Sequence, residues 1–240
     1  MELRNSRAIV TGGASGLGAA TSAWFREQGA TVVILDRDAG DDPHHVQADV
    51  TSADSTAAAI AHAVDRMGGI DICVNCAGVV IGERTVGRNG PHDLDAFRRV
   101  VDVNLIGSFN VLRLAAAEMA LNGRTENGVI VNTASIAAFD GQKGQAAYAA
   151  SKAGIAGMTL PLARDLAGLN IRVCAIAPGI FATPMLRGLP QDVQDSLAAE
   201  VTFPARLGDP QEFARMAAHI VQNGYLNGEV IRLDGALRMR

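Results

Sequence analysis

Residues 11–18 read Thr-Gly-Gly-Ala-Ser-Gly-Leu-Gly, between an apolar run at 8–10 and a helical pattern that passes through Trp24, Phe25 and Gln28 to a stop at Gly29. The order is strand, glycine turn, helix. Glycines in such a turn permit positive φ, let backbone approach a diphosphate, and let a helix N-terminus point its amides at the anion. Gly12, Ser15, Gly16, Leu17 and Gly18 are therefore assigned to a dinucleotide. The next apolar run, 31–35, ends in Asp36, about twenty residues after the glycines, where a dinucleotide fold places a carboxylate on the adenosine ribose hydroxyls. The same carboxylate would repel the 2′-phosphate of NADP by ~4 kcal/mol for charges 4 Å apart at a dielectric of ~20. Arg37 softens this, but no basic residue sits inside the glycine loop, so the expected cofactor is NAD.

The same alternation continues along the chain. A third strand is expected at 46–50, with Asp49 and Val50 at its end where the adenine ring would rest; Asp49 alternatively caps the next helix. A helix at 54–67 stops at Gly68 and Gly69, and a strand at 70–74 leads into Asn75, Cys76, Ala77 and Gly78, small residues that leave room for a cofactor. Residues 83–92 read as a polar loop over one edge of the site, with Arg84 and Arg88 either solvated or set to meet phosphates. A long helix then carries Phe97, Val101, Leu105, Phe109, Leu112 and Ala116 at intervals of three or four. Asn104 interrupts it; a buried Asn needs partners, so it either opens the helix through a structural bond or holds a water near the site. Strands at 129–133 and 171–177, a helix to about 168, a helix at 211–221 and a last strand at 229–233 complete a parallel sheet covered on both faces. The expected fold is one doubly wound α/β Rossmann-type domain over residues 1–240, with about seven strands.

The chemistry concentrates at 135–152. Tyr148 and Lys152 lie four apart in an Ala-rich run that should be helical, so both emerge on one face. A free tyrosine titrates near ~10, and lowering it to about 7 needs ~4 kcal/mol. An ammonium about 4 to 5 Å away supplies ~3 to 4 kcal/mol at a dielectric of ~20, enough for an acid/base near neutral pH. Ser135, just past a strand, can hydrogen-bond an alcohol or carbonyl oxygen. After the strand ending at 177, backbone groups of Pro178, Gly179 and Ile180 and the Thr183 hydroxyl are placed to bond a nicotinamide amide. Residues 182–203 repeat Met185, Leu186, Leu189, Val193, Leu197 and Val201 with helical period, either a lid whose inner face, Leu186 included, meets substrate, or a surface helix.

Composition narrows the function class. A net charge of −4 with scattered basic residues argues against nucleic acid as a partner. No apolar stretch approaches the ~20 residues of a membrane span and no signal-peptide core opens the chain, so a soluble protein is expected, cytoplasmic or in the mitochondrial matrix if eukaryotic. Three cysteines, an odd number, fit a reducing compartment. Cys73 and Cys76 form a C-x-x-C, but one lies in a strand and the other in a turn, unlike a redox pair, and the five histidines show no metal-ligand spacing. No metal is expected.

These residues resemble the short-chain dehydrogenase/reductase family over essentially the whole chain. The family's patterns appear as Thr11-Gly12-x-x-x-Gly16-x-Gly18, as Asn75-Cys76-Ala77-Gly78 with Cys for the usual second Asn, as the set Asn104, Ser135, Tyr148 and Lys152, and as Pro178-Gly179. The resemblance implies that Tyr148 is the general acid/base, Ser135 orients the substrate oxygen, Lys152 also holds the nicotinamide ribose, and Asn104 positions a relay water. It also implies a homotetramer built through helices at about 97–118 and 146–168. The strings at 137–142, 144–148, 157–161, 204–210 and 226–236 are similar to the family's 3-hydroxyacyl-CoA dehydrogenases. That likeness implies NAD, 3-hydroxyacyl-CoA and 3-ketoacyl-CoA as substrate and product, and Gln142 contacting substrate. The loop before Asp93 is shorter than in that branch, which keeps a CoA-free alcohol, such as a hydroxysteroid or small hydroxy ester, as the alternative, and an NAD-binding scaffold as a third reading.

Overall fold

A computed structural model describes residues 1–239 apart from 39–41, 43, 89 and 189. Apolar strands form one seven-stranded sheet: β1 (Arg7–Thr11), β2 (Thr31–Asp36), β3 (His45–Gln47), β4 (Ile72–Asn75), β5 (Gly128–Thr133), β6 (Ile171–Pro178) and β7 (Val230–Leu233), in the order β3-β2-β1-β4-β5-β6-β7. Every pairing is parallel. Successive strand residues point to opposite faces, and both faces are covered, so the central strands are apolar throughout rather than alternating. Val10, Val32, Ile34, Val74, Val131 and Ile176 pack toward Phe25 and Phe213, which stand on α1 (Gly16–Glu27) and on the helix Pro210–Gln222. Ile9, Val33, Leu35, Cys73, Ile130 and Val173 pack on the other side, where α2 (Ala53–Met67), the helix Gly107–Met119 and the helix Ala146–Ala167 lie.

Between β1 and β4 the order of connection reverses, since β1 leads outward to β2 and β3 while β4 leads on to β5. The carboxyl ends of the strands part there and leave a crevice for a ligand.

Five expectations are corrected. The third strand stops at Gln47 because the Asp49 carboxylate takes the Thr51 amide (2.9 Å) and hydroxyl (2.7 Å) and turns the chain. Ser52, not Asp49, caps α2. The long helix is three pieces, α3 (Leu94–Val101), a π-helical turn (Asp102–Ile106) and α4 (Gly107–Met119). With the short turn that follows, the run Leu94–Asn122 holds an 18-residue window of mean hydropathy 1.4 and so meets the criterion for a membrane span, contrary to the sequence reading; half of that window is buried, and Val111, Leu112, Ala115 and Met119 lie in the core as expected of a core helix. The stretch 182–203 is likewise two helices, α6 (Pro184–Arg187) and α7 (Gln191–Ala199), parted at Pro190, which has the extended backbone of an N-cap. Leu189 lies outside the described residues. The remaining long helices are α5 (Ala146–Ala167) and α8 (Pro210–Gln222).

Candidate active site

A cavity of about 880 Å³ opens at the crevice, within the range that takes a cofactor. Its walls include Gly12, Ser15, Gly16, Leu17 and Gly18 of the glycine turn, Asp36, Asp49 and Val50 after the outer strands, and Ala77, Gly78 and Thr183. Gly12 sits at φ +63°, and a Cβ there would come within 2.7 Å of the Ala77 nitrogen, so only glycine lets the turn lie against the segment after β4. Ser15 caps α1 without a side-chain hydrogen bond, and no acid occupies the first turn. The helix N-terminus thus keeps free donors and a positive dipole for an anion. Across the cavity the Thr183 methyl stands 3.6 Å from where a Gly16 Cβ would lie. The Asp36 carboxylate accepts the Ala14 amide at 3.0 Å and so braces the glycine turn while staying at the cavity wall. These residues fit a dinucleotide: backbone and small side chains where the diphosphate must pass, a carboxylate at the ribose end.

Not every assigned residue faces this cavity. Asn75 is buried beneath it, where its amide donates to Asn132 Oδ1 (2.9 Å) and its oxygen accepts weakly from Thr11 Oγ1 (3.5 Å). It braces the sheet because the register sets Asn75 directly beside Asn132 on the neighbouring strand. Pro178, Gly179 and Ile180 end β6 at one side, and their backbone is partly spent: the Gly179 amide donates to Leu233 O (3.0 Å) and Ile180 O accepts from Gly208 (2.9 Å). In turn the cavity is walled by residues the sequence reading passed over. Asp95, Arg98, Arg99 and Asp102 line it from α3 and the π turn, together with Val79. Their signal was present as a polar stripe at three- and four-residue spacing, opposite the apolar stripe of the same helix.

The catalytic candidates converge where the cavity passes Gly78. Ser135 follows β5 by two residues and caps a short turn, accepting the Ala137 amide at 3.1 Å. Tyr148 is in the first turn of α5, and Lys152 lies one turn on. The Ser135 hydroxyl lies near enough to the Tyr148 phenol to act on its ionisation. The Lys152 Nζ donates to Thr133 O at 2.7 Å, stands 5.8 Å from the centre of the Tyr148 ring, and lies 3.7 Å from where a Gly78 Cβ would be. A side chain at Gly78 would crowd Asn104 Oδ1, at 3.2 Å, and touch the lysine. Gln142 occupies the loop just before α5, bound to Gln145, while Leu186 is half-buried on α6.

Charge spacing alone misjudged the phenol. Burial raises the Tyr148 pKa above its ordinary value, with the Ser135 hydroxyl opposing the rise, and burial pushes Lys152 down to about 8. The lysine aims its ammonium at a carbonyl rather than directly at the phenol oxygen. Sequence spacing counts the charges but not the cost of removing both from water.

Asn104 resolves as a clasp. Its Oδ1 accepts the Val79 amide (2.8 Å), and its Nδ2 donates to Val79 O (2.9 Å) and Ser151 Oγ (3.1 Å). The π turn is centred on this residue, so the widened helix lets a wholly buried side chain tie the strand-β4 exit to α5. Cys73 lies in one core layer and Cys76 lines the cavity, with burial pushing its thiol up to about 11.

Comparison with known proteins places these features in a family. A family model described as short chain dehydrogenase matches residues 6–194. The chain is 51% identical to 3-hydroxyacyl-CoA dehydrogenase type-2 of Homo sapiens, covering 97% of this chain and 95% of that protein. It is 49% identical to the Drosophila melanogaster protein of the same name, covering 99% of each. The crystal structure of 3-hydroxyacyl-CoA dehydrogenase type-2 from Mycobacterium avium superposes with a TM-score of 0.91 at 41% identity, covering 100% of this chain and 99% of that one.

Proposed function

The chain belongs to the short chain dehydrogenase family, and on that premise we propose that it is an NAD-dependent enzyme interconverting (S)-3-hydroxyacyl-CoA and 3-ketoacyl-CoA. The observation that carries the reading is the grouping of Ser135, Tyr148 and Lys152 beside Gly78, a residue of the cavity wall that the glycine turn and Asp36 also line, in a chain about half identical to relatives named for that reaction.

Bound NAD supplies the hydride acceptor. The remaining work belongs to this chain. Ser135 and Tyr148 hold the substrate oxygen between two hydroxyls. In oxidation Tyr148, as phenolate, takes the hydroxyl proton; in reduction the phenol returns it. Lys152, fixed by Thr133 O, stabilises the phenolate and reaches the nicotinamide ribose. Asn104 keeps Val79 and Ser151 in place behind the pair. Gln142 and Leu186 meet the substrate, and residues 182–203 close over it. Arg84 and Arg88, exposed on the loop that Glu83 fastens to Gly144 O (2.9 Å), receive CoA phosphates.

Asp36 selects NAD. Asp36→Ala removes the repulsion toward a 2′-phosphate, and kcat/KM for NADP relative to NAD is expected to rise by about tenfold or more, equivalent to ~1.4 kcal/mol at this solvent-facing site. Steady-state kinetics with both cofactors checks it.

The enzyme assembles as a homotetramer. Ile106 and Phe109 are 50% and 46% exposed on the outer face of the α3–α4 run, and Leu160 is 45% exposed on α5, apolar surface that a second copy would cover. Phe109→Glu should shift the light-scattering mass to a smaller species while circular dichroism stays unchanged.

The substrate assignment is tested by NADH formation from 3-hydroxybutyryl-CoA, with free 3-hydroxybutyrate, a hydroxysteroid and NADP run beside it. Turnover confined to the CoA ester with NAD supports the reading. Turnover on the CoA-free compounds alone overturns the thioester assignment and keeps the Ser135/Tyr148/Lys152 chemistry.

A further inference from the structure

Arg232, near the end of the last strand β7, reaches across to the loop that carries Ser135. Its Nη2 and Nη1 donate to the two Asp140 oxygens at 2.6 and 3.3 Å, its Nε to Asp234 Oδ2 at 2.7 Å, and its Nη2 also to Leu237 O at 3.0 Å. The guanidinium also lies 5.5 Å from the centre of the Phe139 ring. A two-pronged guanidinium–carboxylate contact fixes direction as well as distance. Asp140 is bound by its amide to Ile136 O (2.9 Å), so it closes the turn that begins at Ser135 and precedes Gln142. The same turn is gripped from a second side: Ile136 packs with Leu237 of the tail and with Val201 at the end of the 182–203 stretch.

We propose that the Arg232–Asp140 pair is a positioning clamp, through which β7 and the chain after it set Ser135 against Tyr148 and hold Gln142 at the substrate. The proposal rests on the roles assigned above to Ser135, Tyr148 and Gln142. Arg232 touches neither the cofactor cavity nor the catalytic side chains, so its effect passes through the Asp140 loop. The clamp divides the site: the glycine turn, Asp36 and the α3 wall depend on it little, whereas the substrate oxygen's second hydrogen bond depends on it directly. Ser135 is also the group that opposes the upward push of burial on Tyr148. Loosening the clamp therefore predicts a phenol that ionises at higher pH, with Lys152 and Cys76, the other titratable groups beside it, unchanged in sequence.

The test is Asp140→Asn, with Arg232→Lys and the double variant, assayed per NADH-binding site well below the unfolding temperature. The expected result for Asp140→Asn is a kcat on 3-hydroxybutyryl-CoA lowered about ten- to a hundredfold, the scale of a sub-ångström to 1 Å misplacement. NADH affinity should stay unchanged, and the oxidation pH–rate profile should move to higher pH. The double variant should lose no more than the worse single one. A kcat per site and a pH profile equal to wild type, with only the unfolding temperature lowered, would show that the pair merely braces the fold and would overturn the proposal. An inactive wild type on the CoA ester would instead indict the substrate assignment; the clamp then reads out on whichever secondary alcohol of the panel turns over.

Discussion

Tyr148→Phe is expected to lower kcat in both directions by about 10²- to 10⁴-fold, the contribution of a positioned acid/base, while NADH binds as before. The substitution removes one oxygen from a ring that keeps its place on α5 beside Lys152. Nothing in the glycine turn or at Asp36 changes, so fluorescence titration of NADH should give the wild-type Kd. The direction of the pH effect follows from the buried phenol. Because burial raises the Tyr148 pKa above its ordinary value, the phenolate that oxidation needs is scarce at neutral pH and grows as pH rises. Oxidation by the wild type should therefore accelerate from neutral to alkaline pH, whereas reduction, which draws on the protonated phenol, should not. In Tyr148→Phe the alkaline rise should vanish. Near-normal turnover by this variant would refute the assignment of Tyr148.

Asp71→Ala is expected to cost about 3–5 kcal/mol of stability, the scale for stripping one partner from a buried ion pair. Asp71 is wholly buried before β4. Its Oδ2 accepts from the Arg7 amide and Nε, both at 2.9 Å, and its Oδ1 from Arg7 Nη2 (2.6 Å), Arg124 Nη1 (3.0 Å) and Asn122 Nδ2 (3.2 Å). One carboxylate thus joins the start of β1, the lead into β4 and the turn after α4. Removing it leaves Arg7 half-buried without its counter-charge and several donors unpaired. A chain of this size loses about 2–4 °C of Tm per kcal/mol, so calorimetry should record a drop of about 10 °C. Because Asp71 sits at the amino end of the strands, away from the cavity, kcat of the protein that remains folded should match wild type. A Tm within a degree of wild type would show that the buried ion pair contributes little.

What the sequence made legible were features carried by local rules. The glycine turn, the acid after β2 and the i, i+4 spacing of Tyr148 and Lys152 each depend on a few neighbouring residues, and the structure puts them around one crevice. Features set by distant partners were harder to read. Asn104 announced itself only as a polar residue in an apolar helix; its clasp on Val79, twenty-five residues away, needs the fold. Asn75 shares a chain segment with Ala77 and Gly78, yet strand register turns it under the cavity toward Asn132. The phenol's raised pKa reflects burial that spacing cannot report. Asp71 drew no reading from the sequence, because its partners Arg7 and Arg124 lie 64 and 53 residues away. The break at Pro190, by contrast, was a local signal outweighed by an apolar period.

The most direct test of the central claim is to follow the label from (S)-3-hydroxybutyryl-CoA carrying deuterium at C3, using wild-type enzyme and NAD in ordinary water. Transfer of one deuterium to the reduced cofactor for each 3-ketoacyl-CoA formed, slowed by the isotope and lost in Tyr148→Phe, is the predicted result. Reduced cofactor without deuterium, or no reduced cofactor at all, would contradict it.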